Sequence, residues 1–525
     1  MNIKNSILSG GEDRNRDLIW IGILMVVAFL LRMLSNQKYG FHRDEFLYIS
    51  QGQHLDWGFW SNPPGPAFFS WLTQATLGDS LWAIRFFPAL LGVLTIGLVC
   101  LMARDMGGKR YAQLLAGICV IISSSMPRAF LMYNPVPFDI FYWTLLAFLL
   151  LRYIKRGQNQ YLWYLGLTAG LGFINKYSIL FFALPAIIAL LTTKHRKVFQ
   201  RRDFWIGVSL GMVIILPNIG WQWNNGFPVI GHMEELQQNQ LTNVRPLDFI
   251  KDQLLFNASV LLVWLPGLWY LFASKKGTPY RLIGIIFIGI IALLLFLQGK
   301  SYYTLGAYPM MFAAGACMWE HWTTRRIWLR IVPLVVCPLI FFRLMPFSVP
   351  YLKLDKMIAF GQEAVEMGLD GVVRWEDGEI HPLPQDYADM LGWEELGDLV
   401  KEALSQLNES ESYLIYCENF GQVGAVNYYG KNEGIKAVSF ADAFAYWVPE
   451  ELTPDVQTFI YVNDELGDDV ANLFENINEV GRVNNPYARE RGTRVYLCQH
   501  PRSSFPEFWA LRVRQVRTNL GMLQE

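Results

Sequence analysis

Apolar runs long enough, or nearly long enough, to cross about 30 Å of hydrocarbon recur from the N-terminus to about residue 343, and nothing else in the chain constrains its fold so strongly. They lie near residues 18–34, 81–103, 111–126, 136–151, 161–174, 177–193, 204–220, 253–273, 281–298, 303–319 and 327–343. Pro and Gly blur their ends, as is common in membrane helices. Composition agrees: of 525 residues 53% are hydrophobic, 15% aromatic and only 17% charged, too apolar for an ordinary soluble enzyme. The chain therefore reads as an α-helical polytopic membrane protein with about eleven spans.

Lys and Arg set the orientation. RDMGGKR (104–110), RYIKRG (152–157), KHRKVFQRRD (194–203), SKKGTPYR (274–281) and TTRR (323–326) fall in alternate loops, which are expected to be cytoplasmic. With an odd number of spans and a cytoplasmic N-terminus, the intervening loops and everything after about residue 343 are expected outside. The polar start, MNIKNSILSGGEDRNRD, lacks a small-residue cleavage site after the first apolar run, so that run is expected to stay as a helix. A net charge of -1 argues against a nucleic-acid partner.

The expected domains are a membrane part over 1–343, whose first outside loop covers about 35–80, and a soluble extracytoplasmic α/β part over 344–525. In the latter, strand-like SYLIYC (412–417), TFIYVN (458–463) and TRVYLC (493–498) alternate with helical patterns such as ELGDLVKEALSQL (395–407). It carries no Gly-rich phosphate loop. The six cysteines make no CxxC pair. Cys417 and Cys498 each end a strand-like run, so a disulfide and two free thiols are both open.

The first outside loop, YGFHRDEFLYISQGQHLDWGFWSNPPGPAFFSWL (39–72), is too long for a turn and mixes charges, aromatics and prolines. Asp44 and Glu45 lie near the bilayer surface, where a carboxylate meets both a lipid-linked molecule and a water-borne one. The plainer alternative is a solvated cluster of Arg43, Asp44 and Glu45. Cations on the same face are Arg85, Arg128, Lys176, Arg245, Lys251 and Lys300. Arg85 lies inside the second span and needs an anionic partner or a wet cavity. Lys300 with Tyr302 and Tyr303 opens an outside helix end, where such residues serve as snorkelling anchors or as phosphate ligands. Asp139 lies inside a span beside Pro137. His232 and Glu235 have an i, i+3 spacing that puts two ligand types on one helical face.

DEFLY (44–48) after the first span, NPPGP (62–66) before the second, and Arg85 in IRFFPALLG (84–92) resemble the GT-C superfamily of integral-membrane glycosyltransferases, in its protein O-mannosyltransferase and aminoarabinose-transferase branch. NPVPFDIFYW (134–143), GLGFINKYSIL (170–180), LPNIGWQWNNGFPVIGHMEEL (216–236) and GKSYYTLGAYPMMFAAGA (299–316) extend the resemblance over most of the membrane part, and GQVGAVNYYGKN (421–432) resembles bacterial members. It implies a GT-C fold and an inverting enzyme that takes a sugar from a polyprenyl-phosphate donor at the membrane to an acceptor left open: lipid, envelope glycan or protein. In that family the acidic residue after the first span is the catalytic base, which implies Asp44, with Glu45 in an acceptor-side or supporting role.

The resemblance also implies that the Lys300, Tyr302 and Tyr303 segment contacts lipid phosphate; for Arg85, pairing with Asp44 or Glu45 and binding of the donor phosphate are both open. Asn62, Asp139, Lys176, His232 and Glu235 are further candidates for substrate contact. The aminoarabinose branch has Lys before the paired prolines, where this chain has Asn62. No cofactor is implied beyond a divalent cation in some members. A sugar phosphodiester already carries a good leaving group, so one base and cations for the departing phosphate suffice. The rival class is a lipid-linked-sugar transporter or a binding protein without catalysis. Transporters place their sites near the midplane and often show inverted repeats, whereas these candidates gather at one face and no such symmetry is evident.

Overall fold

The structure, a computed structural model, describes residues 2–35, 38–239, 245–408, 411–452 and 456–520. Each of the expected apolar runs is helical, in the expected order. Among the described residues, 6 helices are long and apolar enough to cross a membrane, or up to 8 if two bent pairs, Tyr177–Thr192 with Lys194–Gln200 and Pro246–Leu255 with Ala258–Ala273, each count as one span. The remaining runs form shorter helices, Arg110–Ile122, Gln160–Phe173 and Tyr308–Trp322.

The chain forms two compact units that are not consecutive in sequence. A helical unit comprises Met1–Asn36, Arg85–Asn218 and Leu236–Tyr351; a mixed unit comprises Gln37–Ile84, Ile219–Glu235 and Leu352–Glu525. The first outside loop thus belongs with the C-terminal part.

Lipid tails give apolar helices little hydrophobic reason to associate, so close backbone approach at small residues matters. In the helical unit Leu261–Ala273 packs on Tyr308–Trp322 in this way: a Cβ on Gly267 would lie 2.6 Å from the Met311 carbonyl oxygen, and one on Gly315 would collide with that of Val263. The basic RYIKRG segment has a buried anchor in Asp105, whose carboxylate accepts from Arg152 Nε and lies 3.4 Å from Lys155 Nζ.

The mixed unit contains a five-stranded sheet in the order β2-β1-β3-β5-β4. Its strands are β1 (Tyr413–Cys417), β2 (Ala437–Val438), β3 (Thr458–Asn463), β4 (Phe474–Arg482) and β5 (Arg494–Pro501). β1 runs parallel to β2 and β3, while β5 is antiparallel to both β3 and β4. The three strands expected from sequence are β1, β3 and β5, and the expected helix is Trp393–Ser405. The disulfide alternative fails: Cys417 and Cys498 are free thiols. β3 separates them, with Cys417 in register with Val462 and Cys498 with Phe459, and two strand spacings of about 4.8 Å are too far for a disulfide.

The segment around Asp44, within the first outside loop, is the helix Arg43–Gln53. That helix packs against Gly65–Thr76, where a Cβ on Gly52 would come within 2.8 Å of Ser70 Oγ. It also packs against Phe420–Tyr429, where Gly424 lies on Phe46. The glycines of GQVGA in the C-terminal part therefore seat the helix that carries Asp44.

Candidate functional site

The candidate residues fall largely into two clusters, one in each unit. In the mixed unit the cluster is built on the start of the Arg43–Gln53 helix, whose first backbone N–H groups need acceptors. His42 is the N-cap: its Nδ1 accepts from Asp44 N at 3.2 Å, and Glu45 reaches back so that its Oε2 accepts from His42 N at 2.8 Å. This is a capping box with histidine in place of the usual Ser or Thr. It divides the two carboxylates. Glu45 is fully buried and bonded to backbone, whereas the Asp44 side chain keeps 41% of its exposure.

Three residues that sequence reasoning passed over complete this cluster. Buried Asp389 places Oδ2 3.6 Å from His42 Nε2 and 3.4 Å from Arg489 Nη1. Because Nδ1 accepts an amide proton, a neutral His42 carries its hydrogen on Nε2, facing Asp389. Burial pushes the Asp389 carboxyl up, against the opposing pull of His42, Arg489 and Arg43. Asp442 is the third. Burial pushes its carboxyl up to about 6, with Glu235 and Asp44 adding repulsion and Ser61 and the Ala443 amide opposing. Asp442 has a φ of 50°, a conformation that Asp and Asn tolerate better than most residues, and Ala443 N donates to its Oδ1 at 2.6 Å.

Of the remaining sequence candidates in this unit, Asn62 is buried and exchanges two hydrogen bonds with Gln51, at 2.9 and 3.0 Å. Its amide fastens the NPPGP turn to the helix. His232 packs edge-on to Trp60 at 6.4 Å, and Glu235 is exposed and lies within the field of Asp442. Among the described residues no group of three or more His, Cys, Asp or Glu side chains comes together to hold a metal ion.

The second cluster lies in the helical unit and draws on three separate segments. Lys176 sits over the rings of Tyr302 and Tyr303, at 5.6 and 5.0 Å. Both tyrosines lie on the 3-10 helix Ser301–Ala307, for which Lys300 is the cap residue. Tyr303 also stacks on Phe181 at 6.4 Å. Asp139 is buried in Pro135–Arg156 as a charge partner of Lys176, and Lys300 also acts on Lys176. Asp139 Oδ1 makes no hydrogen bond among the described residues. Fold therefore gathers Asp139, Lys176, Lys300, Tyr302 and Tyr303, four of which carry a proton that an anionic ligand can accept.

Arg85 is 1% exposed and precedes Phe86–Asp105 as its cap residue, also in the helical unit. Of the other cations of that face, Lys251 pairs with Asp248 at 3.4 Å, and Arg245 and Arg128 lie at the ends of helices.

Comparison with known proteins finds likenesses in family profile, sequence and fold. A family profile described as dolichyl-phosphate-mannose-protein mannosyltransferase matches residues 61–221. The chain is 25% identical over 265 residues to the lipid A galacturonosyltransferase RgtD of Rhizobium johnstonii; the match covers 49% of this chain and 55% of the relative, so it spans about half of that protein's length. Among solved structures, ArnT of Cupriavidus metallidurans bound to undecaprenyl phosphate superposes with a TM-score of 0.64 at 15% identity, covering 92% of this chain and 99% of that one. Its apo form gives the same TM-score over 91% and 97%. The chain, with the apolar helices of a multi-pass membrane protein, is thus similar over part of its length to a mannosyltransferase profile and to a sugar transferase, and over nearly all of it shares the fold of ArnT.

Proposed function

We propose that the protein is an inverting glycosyltransferase that moves a sugar from a polyprenyl-phosphate donor to an acceptor on the outer face of the membrane, with Asp44 as the base. The observation that carries this reading is the unequal fate of two adjacent carboxylates: the capping box consumes Glu45 and leaves Asp44 open to solvent on a buried, rigid helix start. Support also comes from the name of the matched family, from the sugar transferase among its relatives and from the undecaprenyl phosphate bound to the similar ArnT.

In this mechanism the acceptor hydroxyl gives its proton to the Asp44 carboxylate as its oxygen bonds to the anomeric carbon. The bond from that carbon to the phosphate oxygen breaks on the opposite side, so configuration inverts. The polyprenyl phosphate leaves as an anion. Arg85, Lys176, Lys300 and the hydroxyls of Tyr302 and Tyr303 are assigned to that phosphate, since charge-assisted donors stabilise the charge that develops on it. A single base suffices because the leaving group needs no protonation.

The test is transfer from radiolabelled polyprenyl-phosphate hexoses and pentoses to endogenous acceptors, in membranes holding equal amounts of native chain or Asp44→Asn, with and without divalent cation. Transfer by the native chain alone supports the assignment and identifies the sugar. Equal transfer by both removes Asp44 from the chemistry. Absence of transfer by either, for every sugar tried, overturns the enzyme reading in favour of transport or binding.

A further inference from the structure

Two elements lead from the carboxylate cluster of the mixed unit to one pocket. The Arg43–Gln53 helix carries Asp44 at one end and is followed by His54 at the other, about 15 Å away at 1.5 Å per residue. The 3-10 helix Asp442–Trp447 carries Asp442 at its start and Tyr446 and Trp447 at its end, about 10 Å away. Where these ends arrive, a cavity of about 170 Å³ is lined by His54, Leu55, Asp56, Phe59, Trp221, Tyr446 and Trp447, with Gly58 at its wall.

The lining is aromatic and its rim is polar. His54 stacks on Trp447 with ring centroids 4.1 Å apart and an interplanar angle of 19°. Trp221 meets Tyr446 at 5.8 Å and 63°. Phe444 braces Trp447 edge-on at 5.2 Å, and Gly58 lies flat on Trp221, where any Cβ would collide with the indole. His54 Nδ1 is 3.0 Å from the Ser50 carbonyl oxygen, which can only accept; Nε2 is then the acceptor nitrogen of the neutral ring. Asp56 is exposed.

These rings are not core. The core aromatics of the same unit, Trp393, Phe459 and Trp509, are 2%, 4% and 2% exposed. In contrast His54 is exposed, and Trp221, Tyr446 and Trp447 are half-buried. Planar rings held rigid at a surface, beside an imidazole and a carboxylate, suit a ligand with one apolar face and a ring of hydroxyls. A pyranose is such a ligand: its C–H face meets the electron-rich ring faces, and its hydroxyls bond to the polar groups at the rim. Rigid aromatic anchors also keep the ordering cost of binding low.

We infer that this pocket is a carbohydrate subsite, which holds a pyranose of the acceptor at about 15 Å from Asp44. The inference rests on the glycosyltransferase reading for the ligand's role but not for its binding. It makes the acceptor an oligosaccharide-bearing molecule, because a single sugar held in the pocket would not bring its hydroxyl to the base.

The experiment is saturation-transfer-difference NMR of the full chain in lipid nanodiscs prepared without glycoside detergents, which would compete. The probes are maltotriose, cellotriose, chitotriose and mannotriose. At least one trisaccharide is expected to receive saturation on the C–H groups of one ring. Trp447→Ala and His54→Ala are expected to weaken that signal at least tenfold, while Asp44→Asn retains it. Should Trp447→Ala fail to fold by thermal melting, His54→Ala, at an exposed position, decides. Absence of saturation transfer with all four probes overturns the inference, and so does undiminished binding by the folded variants. Binding that survives in a chain without transferase activity separates failure of the enzyme reading from failure of this one.

Discussion

The two polar clusters solve opposite electrostatic problems. In the mixed unit the problem is to hold carboxylates together, and the structure answers by giving most of them a partner: Glu45 to the backbone of His42, Asp389 to His42 and Arg489, Asp442 to Ser61 and the Ala443 amide. Of these four, Asp44 alone stays substantially open. In the helical unit the problem is to keep cations out of bulk water, and for Lys176 aromatic rings share this with the carboxylate of Asp139. Tyrosine faces attract the ammonium without neutralising it, so it can still meet an anion. In the proposed mechanism the contrast separates proton abstraction from anion binding, and each half of that division can be tested.

The largest effect is expected at Asp44. Replacement by Asn removes the base and should lower kcat by roughly 10²- to 10⁴-fold, the usual range for general-base removal, with the donor KM nearly unchanged. A rise in donor KM at constant kcat would assign Asp44 to donor binding and break the division. The converse holds in the helical unit. Lys176→Ala and Lys300→Ala should each raise the donor KM by roughly tenfold to a hundredfold, since a hydrogen bond to a charged group contributes about 1.5–3 kcal/mol, with a smaller change in kcat. A dominant fall in kcat would instead place these lysines in the stabilisation of the transition state.

Which parts of this contrast can be read from sequence depends on distance along the chain. Hydrophobic runs are local, so the order of the membrane helices was legible, as were β1, β3 and β5. Asp44 and the Lys300, Tyr302, Tyr303 segment are candidates through resemblance to a family. The helical state of Arg43–Gln53 was missed although a local signal exists: Glu45 lies three residues after His42, the spacing of a capping box. Histidine is an unusual cap, and DEFLY, with its aromatic residues, also suits a strand. Asp389 and Asp442 gave no signal because His42 and Ser61, which they meet, lie hundreds of residues earlier and no motif surrounds them. The union of Asp139 and Lys176 with Tyr302 and Tyr303 depends likewise on helix packing that no window of sequence contains.

A subtler effect is expected where the carboxylates crowd. The Asp442 carboxyl is raised to about 6 from an ordinary value near 3.8, so the fold favours its neutral form. A group raised in this way contributes stability that is complete below its unfolded value and is lost as pH climbs through its folded one. The mixed unit should therefore lose up to about 2 kcal/mol between pH 4 and pH 7 from this residue, at 1.36 kcal/mol per unit. Asp442→Asn keeps the φ of 50° accessible and mimics the neutral acid. It should flatten the dependence, with thermal melts in nanodiscs showing a gain at pH 7.5 and little change at pH 4.5. A variant whose melting temperature still falls with pH as the native chain's does would show that other groups, Asp389 first among them, carry the dependence.

The smallest effect, and the one that best isolates why two neighbouring carboxylates behave differently, is expected at Glu45. If it serves as a cap, its charge is dispensable and its acceptor oxygen is not. Glu45→Gln keeps an oxygen for the His42 amide and should leave stability and transfer within about twofold of native, since Gln serves in capping boxes as Glu does. Glu45→Ala removes that acceptor and opens a gap in a buried site, at a cost of about 1–2 kcal/mol. The loosened helix start should then lower kcat several-fold by misplacing Asp44, with the donor KM unchanged. The pair of variants distinguishes this from a chemical role: a catalytic carboxylate would be as badly damaged by Gln as by Ala. Loss of transfer in Glu45→Gln with an unaltered melting temperature would return Glu45 to the chemistry and leave its hydrogen bond to His42 as the means of orienting it.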